Sequence, residues 1–146
     1  MILFCDTSAL VKLYVEEVGS AAMLAAVAQA RLVAVVRIAW AEAMAALARR
    51  LRERPADAVA IDTVRARLRD DWSSYAIVEV TQPLVELAGT LADAFALRGY
   101  DSVQLAAART VQQASNDELC FACFDARLTQ AATLLGMSPL RIRSSQ

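Results

Sequence analysis

The sequence predicts an α/β fold built on a parallel sheet. Met1-Ile2-Leu3-Phe4-Cys5 is an apolar run that stops on Asp6, and Leu119-Cys120-Phe121-Ala122-Cys123-Phe124 is a second run that stops on Asp125. Runs of this kind read as strands buried on both faces. Short strand-like segments also alternate with helical patterns along the whole chain, which is the order expected of a parallel sheet covered on both sides. A length of 146 residues points to one domain, 1–146, large enough to bury a core.

Each element follows from its residues. Strand one is 2–5. A short helix is expected over Ser8–Glu16, with Leu10, Leu13 and Tyr14 to one side, broken by Gly19. Ser20–Ala30 is alanine-rich and helical. Leu32–Val36 is β-branched and short, so a buried strand. Ile38–Arg54 is helical, with an apolar stripe of Trp40, Met44, Leu47 and Leu51. Pro55 opens the next helix, where a missing N–H costs little, and it runs to about Ser73. Ala76–Val80 is the third strand. Pro83 starts a further helix, ended by Gly99 as the left-handed residue after its last turn. Asp101 opens a helix through Gln112. Ser115-Asn116-Asp117 is a turn, strand four follows, and Ala126–Leu135 is a helix closed by Gly136. A final strand is expected at Leu140–Ile142, after Pro139.

Composition narrows the function. Apolar residues make up 58% of the chain and the net charge is −1, so overall charge does not advertise nucleic-acid binding. Lys12 is the sole lysine. The other cations are arginines, with Arg49, Arg50, Arg52 and Arg54 clustered and Arg65, Arg67 and Arg69 following. Arginine suits planar phosphate contacts, although a solvated helix face produces the same pattern. The three cysteines, Cys5, Cys120 and Cys123, lie in or beside apolar strands and lack zinc-site spacing; the C-x-x-C reads as core filling rather than a redox motif. A reducing, cytoplasmic setting fits. No signal peptide and no bilayer-spanning run is expected.

The acids carry the chemistry. Asp6, Asp101 and Asp125 each stand just before or at the start of a helix, where aspartate is also a preferred cap. Glu42 is expected in the second turn of its helix, beyond capping range. Strands ending on acids aim carboxylates at the edge where open α/β sheets bind ligands. Two carboxylates ~5 Å apart repel by roughly 3 kcal/mol at an effective dielectric near 20, so a gathered set shifts its pKa values or recruits a cation. An all-oxygen set suits Mg²⁺ or Mn²⁺, which can support hydroxide attack on a phosphodiester. With no histidine in the chain there is no Ser-His or Cys-His pair, and no phosphate-binding glycine loop is present.

Four segments together resemble the PIN-domain ribonucleases, specifically the VapC-type toxins of bacterial toxin–antitoxin pairs. They are Asp6-Thr7-Ser8-Ala9-Leu10-Val11-Lys12-Leu13-Tyr14, Trp40-Ala41-Glu42, Tyr100-Asp101-Ser102-Val103-Gln104-Leu105-Ala106-Ala107-Ala108 and Cys123-Phe124-Asp125-Ala126-Arg127-Leu128. The resemblance spans nearly the whole chain. It implies a PIN-like three-layer α/β/α sandwich with a five-stranded parallel sheet. It also implies a Mg²⁺ or Mn²⁺ site built by Asp6, Glu42, Asp101 and Asp125, with Ser8 helping to position water. The implied substrate is single-stranded or looped RNA, and the implied partner is a cognate antitoxin. Ser102 stands where the family usually has alanine. Cys123 stands where serine or threonine is usual, and Gln104 replaces a common histidine outside the acid set, with little effect expected.

Alternatives are a PIN fold that binds RNA or a partner without cutting, a structure-specific DNA nuclease, and a receiver-like phosphotransfer module. The last needs a lysine after a late strand, and Lys12 is the only one. Arg49 and Arg52, on the helix of Glu42, are expected to meet RNA phosphates. The apolar excess points to a partner helix in a surface groove, with a basic side chain reaching toward the acids, and to a two-fold homodimer.

Overall fold

The computed structural model describes residues 1–142, so the last four residues of the expected 1–146 domain lie outside the described ones. Five strands form one sheet: β1 (Ile2–Cys5), β2 (Leu32–Val36), β3 (Ala76–Val78), β4 (Leu119–Ala122) and β5 (Ser138–Pro139). Their order is β3-β2-β1-β4-β5, and every pairing is parallel. Among the described residues seven helices accompany them: α1 (Thr7–Lys12), α2 (Ser20–Gln29), α3 (Ala39–Glu53), α4 (Ala58–Trp72), α5 (Gln82–Phe95), α6 (Gly99–Ala114) and α7 (Ala126–Leu134). Pro55–Asp57 forms a 3-10 turn ahead of α4.

The central strands are apolar because both their faces are covered. All four residues of β1 and all four of β4 are buried. Phe4 and Phe121 face each other in register and stack, with ring centroids 5.7 Å apart. Their contact adds to the burial that holds β1 to β4. From β1 the chain steps outward to β2 and β3, then returns to lay β4 against the other side of β1. The strand order therefore reverses between β1 and β4, and ligands bind at the carboxyl ends of strands flanking such a point. The Asp6 N–H donates to the Ala122 carbonyl at 3.1 Å, which extends the pairing one residue into that crevice.

Several boundaries differ from expectation. α1 ends at Lys12 rather than at 16, and the chain turns before Gly19. The deepest line on α3 is Ala39, Ala43 and Leu47, with Trp40 and Met44 packed beside it. β3 stops at Val78. Gly99 does not end α5. Ala96 does so in the left-handed conformation, with φ 54°, and Gly99 instead begins α6. The final strand is Ser138–Pro139, earlier than 140–142, paired with Cys120 and Phe121. Proline is tolerated there because β5 is an edge strand. Among the described residues no helix is long and apolar enough to cross a membrane.

Gly19 shows how tightly the α1–α2 turn is held. Its φ is +100°, and a Cβ added there would sit 2.5 Å from Cε1 of Phe124. Lys12 reinforces this contact from above, its ammonium 4.6 Å from the Phe124 ring centre. Gly19→Ala should therefore destabilise the fold by about 1–3 kcal/mol, seen as a lower melting temperature; an unchanged melting temperature would show that the turn relaxes freely.

Candidate active site

The crevice holds a pocket of about 310 Å³ lined by Asp6, Thr7, Ser8, Glu42, Asp101, Gln104, Phe124 and Asp125. All four acids singled out from the sequence thus meet at one place, with Ser8 among them. They arrive from separate elements: the end of β1, the first turn of α3, the first turn of α6 and the turn after β4. Glu42 falls in the first turn of its helix rather than the second, because α3 begins at Ala39, one residue later than expected. Among the described residues, no three acidic, cysteine or histidine side chains stand close enough together to hold a metal ion as they are placed; the four carboxylates line an open pocket.

Three of the acids tie one oxygen to the fold. Asp6 Oδ1 accepts from the Ala9 N–H at 2.9 Å and the Ser8 hydroxyl at 2.7 Å, which makes Asp6 the cap of α1. Asp125 Oδ1 accepts from the Leu128 N–H at 2.9 Å and caps α7. Glu42 Oε1 accepts from the Thr7 hydroxyl at 2.8 Å and from Gln104 Nε2 at 2.9 Å. Capping and lining are therefore one placement, since the same carboxylate serves the helix with one oxygen and borders the pocket. Asp101 caps nothing; Arg98 occupies that position in α6.

Sequence reasoning noted Gln104 but expected little of it. It is only 3% exposed and braces Glu42 both directly and through Thr7, to which it donates at 3.0 Å. Its Oε1 is buried without a partner, a cost of about 1–3 kcal/mol. Turning the amide over would set Oε1 against Glu42 Oε1, acceptor to acceptor, so the orphan is retained to keep the donors on Glu42. No local pattern announces this, because the three partners come from α1, α3 and α6.

Burial dominates the electrostatics. Asp6 is 6% exposed. Its pKa is raised by desolvation, which outweighs the Ala9, Ser8 and Cys123 hydrogen bonds that favour its charge. Asp101 is raised by desolvation and then by the charge of Asp125, with Arg98 opposing. Cys123 fills the position where a hydroxyl was expected. Its sulfur accepts from the Asp125 N–H at 3.2 Å, and burial and the Asp6 charge hold the thiol protonated. Ser8 Oγ also accepts weakly from the Phe124 N–H, at 3.4 Å. The expected phosphate contacts lie elsewhere: Arg49 and Arg52 do not line the pocket. Both are exposed, and Arg49 pairs with Glu53 at 3.1 Å.

A parallel α/β sheet with an acidic, histidine-free pocket at its strand-order reversal places the chain among α/β proteins whose candidate site is lined by carboxylates. The chain belongs to the PIN domain family, whose pattern matches residues 3–134. It is 33% identical over 135 residues to ribonuclease VapC45 of Mycobacterium tuberculosis (strain CDC 1551 / Oshkosh), covering 92% of each chain. Among solved structures it resembles FitAcB from Neisseria gonorrhoeae, with a TM-score of 0.69 at 16% identity over 97% of each chain. It also resembles a toxin-antitoxin complex from Klebsiella pneumoniae, with a TM-score of 0.58 at 22% identity over 82% of this chain and 84% of that one. At such identities the two structures attest the fold.

The raised pKa of Asp6 has a thermodynamic sign. Its folded value lies above its unfolded one, so its contribution to stability is present at low pH and is lost as pH rises through the folded value. Asparagine caps helices as well as aspartate does. In EDTA, Asp6→Asn should therefore melt higher than wild type at pH 7, and the gap should close toward pH 4. A lower melting temperature for the variant at pH 7 would contradict this account.

Proposed function

We propose that this chain is a divalent-metal-dependent endoribonuclease, the toxin of a toxin–antitoxin pair, acting through Asp6, Glu42, Asp101 and Asp125. The observation that carries the reading is that these four carboxylates line one pocket in a chain without histidine. Membership of the PIN domain family and relatives named as VapC ribonucleases support RNA as the substrate. A toxin-antitoxin complex of like fold supports a protein partner.

The donor set fits Mg²⁺ or Mn²⁺, because the acids offer hard oxygens and such ions keep several waters rather than needing a closed protein cage. Asp6, Glu42, Asp101 and Asp125 would hold the ion. When bound, it supplies Lewis-acid stabilisation of the charge that builds on the phosphodiester. The protein does the rest. Asp6 and Glu42 are held in place through one oxygen each, so their positions are set before substrate arrives. Ser8, hydrogen-bonded to Asp6, places a hydroxyl where water would be oriented. No protein donor occupies the oxygens of Asp101 among the described residues, so a carboxylate oxygen of Asp101 is the one placed to take the proton from the attacking water. Arg49 and Arg52 belong to this reading as phosphate contacts farther along the RNA, and a two-fold homodimer is its assembly.

Two measurements test the reading. Purified Asp6→Asn and Asp101→Asn should cut a fluorogenic single-stranded RNA about 10²-fold more slowly or worse while remaining folded. EDTA should stop the wild type and Mn²⁺ should restore it. Wild-type rates in Asp6→Asn, or full activity in EDTA, would refute the assignment. In a bacterial host, wild type expressed alone should arrest growth, and co-expression of the protein from an adjacent short reading frame should relieve it. Harmless expression with no co-purifying partner would leave a nuclease outside any toxin pair.

A further inference from the structure

Both pocket acids nearest the late helices are preceded in sequence by an aromatic residue: Tyr100 before Asp101 and Phe124 before Asp125. Their situations differ. Phe124 lines the pocket and is held by Lys12 and Gly19. Tyr100 is 69% exposed in the first turn of α6. The other large hydrophobic side chains left exposed among the described residues are the aliphatic Val18, Leu24, Val59, Val80, Leu134 and Ile142. Tyr100 is thus the one aromatic ring given to solvent in that set. One peptide unit, about 3.8 Å between Cα atoms, separates it from a pocket acid.

Cations accompany it. Arg98 is exposed, two residues before Tyr100, and near enough to Asp101 to favour that acid's charge. Arg127 is exposed at the start of α7, and its Nη1 lies 3.5 Å from the Ala96 carbonyl. This contact joins the turn before α6 to the first turn of α7. Neither arginine forms an ion pair among the described residues; Arg52, Arg54, Arg67, Arg69, Arg109 and Arg141 share that, so what sets Arg98 and Arg127 apart is their place at the starts of α6 and α7. Unpaired cations beside an exposed aromatic ring are the elements that bind single-stranded nucleic acid, phosphates on the cations and a base on the ring.

We propose that Tyr100, with Arg98 and Arg127, forms a nucleotide subsite beside the pocket, in which the base next to the cleaved phosphodiester stacks on the Tyr100 ring. The proposal rests on the ribonuclease reading and adds a reason for preferring an unpaired strand, since a base locked in a duplex cannot present its face to the ring.

The test uses the full chain carrying Asp6→Asn, so that binding is read without cleavage. Its probe is a fluorescein-labelled, random-sequence single-stranded RNA decamer followed by anisotropy. Tyr100→Ala should weaken binding by about 5- to 150-fold, with little change in salt dependence. Tyr100→Trp should bind like the parent. Arg98→Gln with Arg127→Gln should lower the salt slope by about 0.7 for each phosphate no longer neutralised. In the chain that retains Asp6, Tyr100→Ala should raise KM for cleavage more than it lowers kcat. Unchanged affinity and KM in Tyr100→Ala would overturn the subsite. So would unchanged RNA affinity with weaker retention of a co-expressed protein partner, which would make the patch a protein interface. Failure of the wild type to cleave any RNA strikes the nuclease reading instead, and the anisotropy series still decides Tyr100.

Discussion

Asp6 serves two neighbours at once, and the rest of the site is arranged around that. It must sit where β1 ends, because its N–H continues the pairing with Ala122. It must also start α1, because its Oδ1 caps the helix through Ala9. Those demands bury a carboxylate to 6% exposure at the reversal of strand order, where the Cys123 thiol and Ser8 help to keep it charged. Asp125 repeats the device at the end of β4, capping α7 through Leu128. Parallel pairing of β1 with β4 therefore sets two helix caps side by side, and the acidic pocket is the space between them.

Glu42 shows the same economy by a different route. Its carboxylate is held by side chains alone among the described residues, not by a backbone N–H. Thr7 and Gln104 hold it instead, and Gln104 does so with a buried, unmatched carbonyl. A structure under selection for stability alone has a simpler choice at residue 104, an aliphatic side chain. Retaining the amide ties α6 to α3 and α1 across the pocket. Leu105, Ala106, Ala107 and Ala108 are all buried, so α6 is enclosed around most of its circumference there, which makes that tie rigid.

How much of this was legible depended on range. β1, β2 and β4 were readable because a buried parallel strand is a local apolar run, and the acids at the ends of β1 and β4 were readable because strand ends are where such sheets place ligands. Asp101 was singled out by its place at the start of a helix and Glu42 by its place within one, beyond the expected capping range; the resemblance then placed both in motifs alongside the two strand-end acids. Local rules failed where a neighbour overrode them. Ala96 adopts the left-handed conformation that glycine usually supplies, so α5 ends early and Gly99 is free to begin α6. β5 is two residues long, and its place is set by the edge of β4, not by its own pattern. Gln104 was passed over because its meaning lies in residues 7 and 42, far from it in sequence.

The register of β1 against β4, Cys5 beside Ala122, has a consequence for the chain as it is made. β1 is the middle strand of the sheet, and it waits for a neighbour, β4, that follows β2 and β3 in the chain. Synthesis delivers the amino-terminal half first, so β1 can meet β2 early while its second edge stays unpaired until β4 follows. Through that interval Asp6 lacks its tie to Ala122, Asp125 is absent, and the wall shared by Phe124 and Ser8 has not formed. The pocket is among the last features to be assembled. A nascent chain stalled before β4 thus carries three of the four acids and no site, so translation itself times when the pocket comes into being.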